Sequence, residues 1–229
     1  MRFSRWDAQG NVYLLTEQPG LTPDSVRSAA TDSDGILQVT ARGDDWVEIV
    51  IWNPDGSTAE LSGNGTRIAA RWLAAETGAG VVRVRVGPRE VVARMLGGDD
   101  VEQDMGDVQV CERERVAGLD VTAVSVGNPH AVVEGDPDDL PLIGPLLETH
   151  PRYPDRTNVQ VARREGAGEI TARVWERGAG ETASSGTSAV AVAAALGRED
   201  AVVRFPGGPL LVRFEGSRAF LTGPARPVD

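Results

Sequence analysis

The 229-residue chain uses one short phrase twice, and that repetition constrains its fold more than any other feature. The first copy, Glu60-Leu61-Ser62-Gly63-Asn64-Gly65-Thr66, opens the apolar run Ile68-Ala69-Ala70-Arg71-Trp72-Leu73-Ala74-Ala75. The second, Glu181-Thr182-Ala183-Ser184-Ser185-Gly186-Thr187-Ser188, opens Ala189-Val190-Ala191-Val192-Ala193-Ala194-Ala195-Leu196. In each, a Ser is followed by Gly and small polar residues, then by helix formers. Ser and Asn are favoured helix N-caps, and glycine lets a ligand come close to the backbone. The unpaired N–H groups of such a helix start point the same way as the helix dipole, which makes it an anion site. Two starts, one per half, predict a duplicated fold that grips one anionic group with two helix ends.

The segments around the two phrases repeat as well. In the first half, Asn11–Leu15, Gly35–Thr40 and Trp46–Trp52 are rich in β-branched and aromatic residues and read as strands. Pro23–Ala30 reads as a short capped helix, and Asn53-Pro54-Asp55-Gly56-Ser57 as a turn. Val81–Val86 and Glu90–Met95 follow the first apolar helix as strands. In the second half, strands around Thr122–Val133 and Ile170–Trp175 precede the second helix, and strands at Val202–Phe205, Leu210–Phe214 and Ala219–Thr222 follow it. Asp136-Pro137-Asp138-Asp139 and Arg163-Arg164-Glu165-Gly166 read as surface loops. The second helix has almost no polar face, so sheet should bury it on most sides. The expected class is α+β, with two pseudo-symmetric domains at 1-112 and 113-229. Each is a curved, mainly antiparallel sheet wrapped around a central helix. The boundary falls where charges and turn residues gather, near Asp107 to Gly118, and the last strand is free to pack back on the first domain.

A formal charge of −11 argues against nucleic acid or an anionic membrane as partner, since both demand a basic surface. All 23 basic residues are Arg, which excludes Schiff-base and lysine-base chemistry. No apolar stretch reaches the length of a membrane span, and Met1-Arg2-Phe3-Ser4-Arg5-Trp6 lacks an apolar signal core. The lone Cys111 cannot form an internal disulfide and fits a reducing cytoplasm; in its strand-like setting it reads as a bystander. His130 and His150, the two histidines, are too few for a typical His-rich metal site.

Further pieces complete a pattern along the whole length: Gly10-Asn11, Gly127-Asn128-Pro129-His130, Pro154-Asp155-Arg156-Thr157-Asn158-Val159, Trp175-Glu176-Arg177-Gly178-Ala179-Gly180-Glu181-Thr182 and Thr222-Gly223-Pro224-Ala225. In order and spacing the chain resembles the diaminopimelate epimerases. The resemblance implies two such domains, an active site in the cleft between them, and commonly a homodimer. It also implies inversion of an amino-acid α-carbon without cofactor, in lysine and peptidoglycan precursor synthesis. One cysteine removes the α-proton and a second, on the opposite face, returns one. At those two positions this chain has Ser62 and Ser185. Glu176 and His130 match the polar residues beside the reacting centre. Gly63, Asn64, Gly186 and Thr187 match the helix starts that hold the α-carboxylate. Asn11, Asn53, Asn128, Asn158 and Arg177 match the clamp on the distal amino and carboxyl groups. Where the resemblance calls for a glutamine the chain has Gly35, and the usual histidine before Gly10 is replaced within Asp7-Ala8-Gln9.

The serines change the chemistry. A hydroxyl about five units less acidic than a thiol costs on the order of 7 kcal/mol more to turn into a base. Two helix N-termini return only ~1–2 kcal/mol of that. A Ser/Ser pair therefore predicts a slower epimerase, another proton-transfer route, or a disarmed enzyme. Ser184 and Ser188 also depart from the family pattern, which fits native serines better than deliberate replacement. Proline racemases, hydroxyproline dehydratases and the phenazine-pathway isomerase vary at the same two positions. An isomerase or dehydratase of another amino acid, with Glu176 or Glu181 as base, is thus a second reading, and a non-catalytic amino-acid-binding paralogue a third.

Overall fold

Gln9 and Gly10 both take positive φ, 63° and 77°, closing a two-residue turn between β1 (Ser4–Ala8) and β2 (Asn11–Thr16). Such turns match the twist of the strands they join. The computed structural model describes residues 2–228. These divide into two units, Met1–Asp104 with Thr222–Asp229, and Met105–Leu221.

In the first unit β2 leads through α1 (Pro23–Ala29) to β3 (Gly35–Arg42), which runs parallel to β2 with Tyr13 opposite Gly35. A capping box between Thr22 and Ser25 starts α1. β4 (Trp46–Trp52) returns antiparallel and pairs with the short β5 (Thr58–Ala59). Then come α2 (Gly63–Thr77), β6 (Val81–Val86), β7 (Arg89–Gly97) and β8 (Asp100–Asp107). β6 is parallel to β4, and β7 and β8 continue antiparallel. Gly78 ends α2 in the left-handed conformation at φ 78°. α2 lies against β1, β2, β4, β6 and β7, with Ile68, Ala69, Ala70 and Leu73 buried among Val47, Ile49, Ile51, Val82 and Val84. Each of the Ile, Leu and Val side chains contributes ~1.5–3 kcal/mol on burial, and an alanine methyl less than about 1 kcal/mol.

The second unit repeats this plan. β9 (Gln109–Val116), β10 (Leu119–Ser125) and β11 (Pro129–Glu134) are antiparallel neighbours. A 3₁₀ turn at Pro137–Asp139 and α3 (Leu140–Glu148) precede β12 (Asn158–Gly166), which is parallel to β11 with His130 opposite Asn158. β13 (Glu169–Glu176) is antiparallel to β12 and to β14 (Gly180–Thr182). After α4 (Gly186–Ala195), β15 (Ala201–Phe205) is parallel to β13 and antiparallel to β16 (Gly208–Glu215). β17 (Arg218–Pro224) follows. α4 is buried from Gly186 to Ala194 against β10, β11, β12, β13, β15 and β16, as its missing polar face predicts. β18 (Arg226–Val228) pairs antiparallel with β1 and so belongs to the first unit.

The repeat is thus one of pairing order: parallel, antiparallel, parallel, antiparallel around a helix that begins with Ser-Gly. Three expectations need correction. Arg163-Arg164-Glu165-Gly166 is the end of β12 rather than a loop; those side chains are exposed, but their backbone is held by β13. The charged stretch near Asp107 to Gly118 contains β9, most of whose side chains face solvent. Asp136–Asp139 is partly helical, Asp136 capping the 3₁₀ turn through Asp138 N–H.

Candidate active site

In the first unit the site grows from the start of α2. Ser62 has extended backbone (φ −136°, ψ 118°), and its Oγ accepts the Gly65 N–H at 3.0 Å, so the hydroxyl caps the helix. The Tyr13 hydroxyl lies 3.2 Å from the same Oγ. Behind the cap, Thr66 Oγ1 donates to Ser62 O at 2.8 Å and accepts from Gln103 Nε2 at 2.7 Å. The buried Asn64 donates through Nδ2 to Asn11 Oδ1 at 3.3 Å, and its Oδ1 accepts from Arg67 Nη2 at 2.8 Å. Arg67 Nε donates to Pro224 O at 3.0 Å.

Arg67 is fully buried, and its Nε and Nη2 hydrogen bonds end on a carbonyl and an amide rather than a carboxylate. Burial pulls its pKa down to about 10 against the opposing pull of Asp100 and Asp7. The guanidinium and the helix N-terminus put positive potential behind Gly63 and Asn64, which suits an anion. Asn53 is engaged in its own turn, where Nδ2 donates to Ser57 Oγ at 2.9 Å.

The second unit builds the same arrangement with different residues. Ser185 starts α4 from extended backbone (φ −148°, ψ 125°) and is buried, yet its side chain makes no capping hydrogen bond. Asn128 Nδ2 donates to Thr187 Oγ1 at 3.4 Å, as Asn11 and Asn64 are joined in the first unit. His130 is held at both ring nitrogens, with Asn128 Oδ1 at 2.9 Å from Nε2 and Gln160 Nε2 at 3.0 Å from Nδ1. Gln160 Nε2 also donates to Ser188 Oγ at 2.9 Å. The opposite Gln160 orientation would strand two N–H donors instead of one carbonyl oxygen, which favours Nδ1 as acceptor and Nε2–H as donor. His130 is therefore neutral and aims the Asn128 amide at the helix start.

Burial pushes the His130 pKa down to about 3, with the nearby Arg177 charge adding to the effect and the Gln160 hydrogen bond opposing it. An unfolded histidine titrates near 6.5, so below that pH the unfolded chain binds a proton that the folded chain refuses. The stability from neutral His130 is complete above pH 6.5 and is lost as pH falls toward about 3. The shift amounts to on the order of 5 kcal/mol. In His130→Gln, the fall in Tm between those limits should flatten; an unchanged slope would show that other groups carry it.

Next to this network, Asn158 Nδ2 donates to Pro129 O at 2.9 Å, and its Oδ1 accepts the Arg177 N–H at 2.9 Å. Thr182 Oγ1 donates to Glu176 Oε1 at 2.6 Å. The turn after β13 is anchored by Glu148, a buried carboxylate that accepts from Trp175 Nε1 and Gly178 N, each at 2.8 Å, and from the Arg156 guanidinium. Gly144 lets α3 sit directly on Trp175, since a Cβ there would lie 2.8 Å from the Trp175 side chain.

The structure thus joins Asn11, Ser62, Gly63 and Asn64 at one helix start, and Asn128, His130, Ser185, Gly186 and Thr187 at the other. Asn158, Glu176 and Arg177 lie on and beside the β13 turn. The sequence reading did not single out Tyr13, Arg67, Glu148 or Gln160. One signal was available: Gly10-Asn11-Val12-Tyr13 and Gly127-Asn128-Pro129-His130 are the same phrase, with glycines at φ 77° and 88°. Among the described residues, no cluster of His, Cys, Asp or Glu could hold a metal ion, and no helix is long and apolar enough to cross a membrane.

The family model described as diaminopimelate epimerase matches residues 122–228. The diaminopimelate epimerase of Synechocystis sp. (strain ATCC 27184 / PCC 6803 / Kazusa) is 34% identical over 270 residues, covering 100% of this chain and 97% of that protein. That of Synechococcus elongatus (strain ATCC 33912 / PCC 7942 / FACHB-805) is 36% identical over 267 residues, covering 98% and 95%. The chain belongs to the diaminopimelate epimerase family. Membership makes it an isomerase of the epimerase class. Among solved structures, a "Predicted Epimerase" from Pseudomonas aeruginosa aligns with a TM-score of 0.77 at 15% identity, covering 100% of this chain and 97% of its own. A hydroxyproline epimerase from Agrobacterium vitis with bound trans-4-hydroxy-L-proline gives 0.72 at 16%, covering 99% and 88%. Both share the fold.

Proposed function

We propose that this chain acts on diaminopimelate, interconverting the LL and meso forms by removal and return of the α-proton, and that the serines make it slow. The observation that carries this is the doubled half-site. In both units an Asn two residues before Tyr13 or His130 is bonded to the second residue of a Ser-Gly helix. The N–H groups at Gly63-Asn64 and Gly186-Thr187 suit the α-carboxylate, with the buried charge of Arg67 supporting the first of them. Asn158 and Arg177 offer an amide and a guanidinium fork to the distal carboxylate and ammonium. Ser62 and Ser185 stand for the acid/base pair, and His130 holds Asn128 in place instead of moving protons.

The test is calorimetric titration with LL- and meso-diaminopimelate, followed by proton NMR of each in deuterated buffer. Both isomers are expected to bind, and deuterium to enter the α-position slowly. Binding without exchange under any condition would identify a binding paralogue. Failure of both isomers to bind, with binding of proline or hydroxyproline, would move the substrate elsewhere.

A further inference from the structure

The duplication sets one residue of the first unit against one of the second. Tyr13 and His130 each follow a positive-φ Gly and an Asn, and each opens the parallel pairing of its strand, Tyr13 opposite Gly35 and His130 opposite Asn158. They do different things from that shared place. Both nitrogens of His130 are consumed by Asn128 and Gln160. Tyr13 instead puts its hydroxyl 3.2 Å from Ser62 Oγ, the atom at the helix start.

The ring is seated with little slack. Gly35 lies at φ +154°, and a Cβ there would be 2.3 Å from Trp52 O and 2.9 Å from Tyr13 Cε1. The missing side chain at 35, where the family resemblance calls for glutamine, is what admits the tyrosine. Val12 is pinned to the same strand pair, its N–H donating to Asp34 Oδ2 at 2.6 Å and its carbonyl accepting from Asp34 N at 2.7 Å. The phenol is thereby held on the Ser62 hydroxyl by backbone on two strands.

An alkyl hydroxyl cannot supply a base near neutral pH, whereas a phenol is several units more acidic and is the stronger candidate to hold the charge. We propose that Tyr13 is the proton store of the first half-site, with Ser62 as the relay between it and the substrate. The α C–H bond breaks and its electron pair stays on the α-carbon, delocalised into the bound carboxylate. The proton goes to Ser62 Oγ as the Ser62 proton goes to the Tyr13 phenolate. Return of a proton reverses each transfer, so no oxidant or co-reactant is required. Tyr13 acts through Ser62 and is a positioning and proton-holding residue; the proposal rests on the epimerase reading given above.

The test follows deuterium uptake at the α-carbon of LL- and meso-diaminopimelate from about pH 7 to about pH 10, where a phenol-dependent rate climbs about tenfold per unit. The parent chain, Tyr13→Phe, the pair Ser62→Cys with Ser185→Cys, and that pair combined with Tyr13→Phe are compared, with ligand titration as the check on folding. Tyr13→Phe should still bind diaminopimelate, lose about 100-fold or more in exchange, and lose the climb with pH. In the cysteine pair the same change should cost less than about tenfold, because a thiol ionises without help. Tyr13→Phe that keeps the parent's pH slope, or that costs the cysteine pair as much as it costs the parent, overturns the proposal and leaves Tyr13 a structural contact. Exchange by the cysteine pair with none by the parent at any pH overturns it together with the activity proposed for this chain, leaving a diaminopimelate-binding site that lacks its acid/base pair. No exchange by any variant removes the epimerase reading and this proposal with it.

Discussion

Replacing Ser62 and Ser185 together by cysteine is expected to raise α-proton exchange of diaminopimelate at near-neutral pH by about 100-fold or more. The reason is acidity. A thiol with a reference pKa of about 8.5 is deprotonated by modest help, and a helix N-terminus gives that help. The substitution asks little of the fold. Ser185 makes no capping hydrogen bond, so sulfur displaces nothing there. Ser62 does cap α2 through Gly65, and its replacement costs about 1 kcal/mol. The rate of deuterium uptake by proton NMR measures the gain. A cysteine pair that binds diaminopimelate and exchanges no faster than the parent would show that the serines do not stand at the reacting positions.

The largest effect on stability is expected at Glu148. Truncation to alanine should cost about 1–3 kcal/mol, the range for leaving a buried donor without its acceptor; the Arg156 guanidinium it also releases is about half exposed and stays solvated. Its carboxylate is buried and accepts from Trp175 Nε1, Gly178 N and Arg156. Gly178 adjoins Arg177, whose own N–H is fixed by Asn158, so the turn that aims Arg177 should loosen with it. Glu148→Gln keeps an acceptor for Trp175 and should lose much less. Urea unfolding followed by tryptophan fluorescence separates the two variants; equal midpoints for Glu148→Ala and the parent would remove Glu148 as the anchor.

Much of the fold was legible because its periodicity is clean. Trp46–Trp52 and Val81–Val86 have the bounds their alternation predicts, and both Ser-Gly phrases start helices. α3 escaped because Pro141, Gly144 and Pro145 interrupt the helical pattern of Leu140-Pro141-Leu142-Ile143-Gly144-Pro145. Pro141 falls in the first turn, where its missing N–H costs nothing, and Gly144 is used for contact with Trp175. The end of β12 escaped because its charged side chains face solvent, leaving no apolar alternation to read, whereas the alternation around Cys111 does mark β9. At the site, the asparagines and serines stand in recognisable phrases. Tyr13, Arg67, Glu148 and Gln160 depend on partners far away in sequence, and a single phrase does not carry that information.

The eight-residue return of Thr222–Asp229 to the first unit sets an order of completion during synthesis. Residues 105–221 leave the ribosome as one uninterrupted run and hold nearly all of their own pairings within it. The first unit, although made first, has an open edge at β1 until β18 emerges, and Arg67 has no Pro224 carbonyl to meet until the same moment. The half translated first is therefore the half that finishes last, and its buried cation is the latch that records the arrival of Pro224.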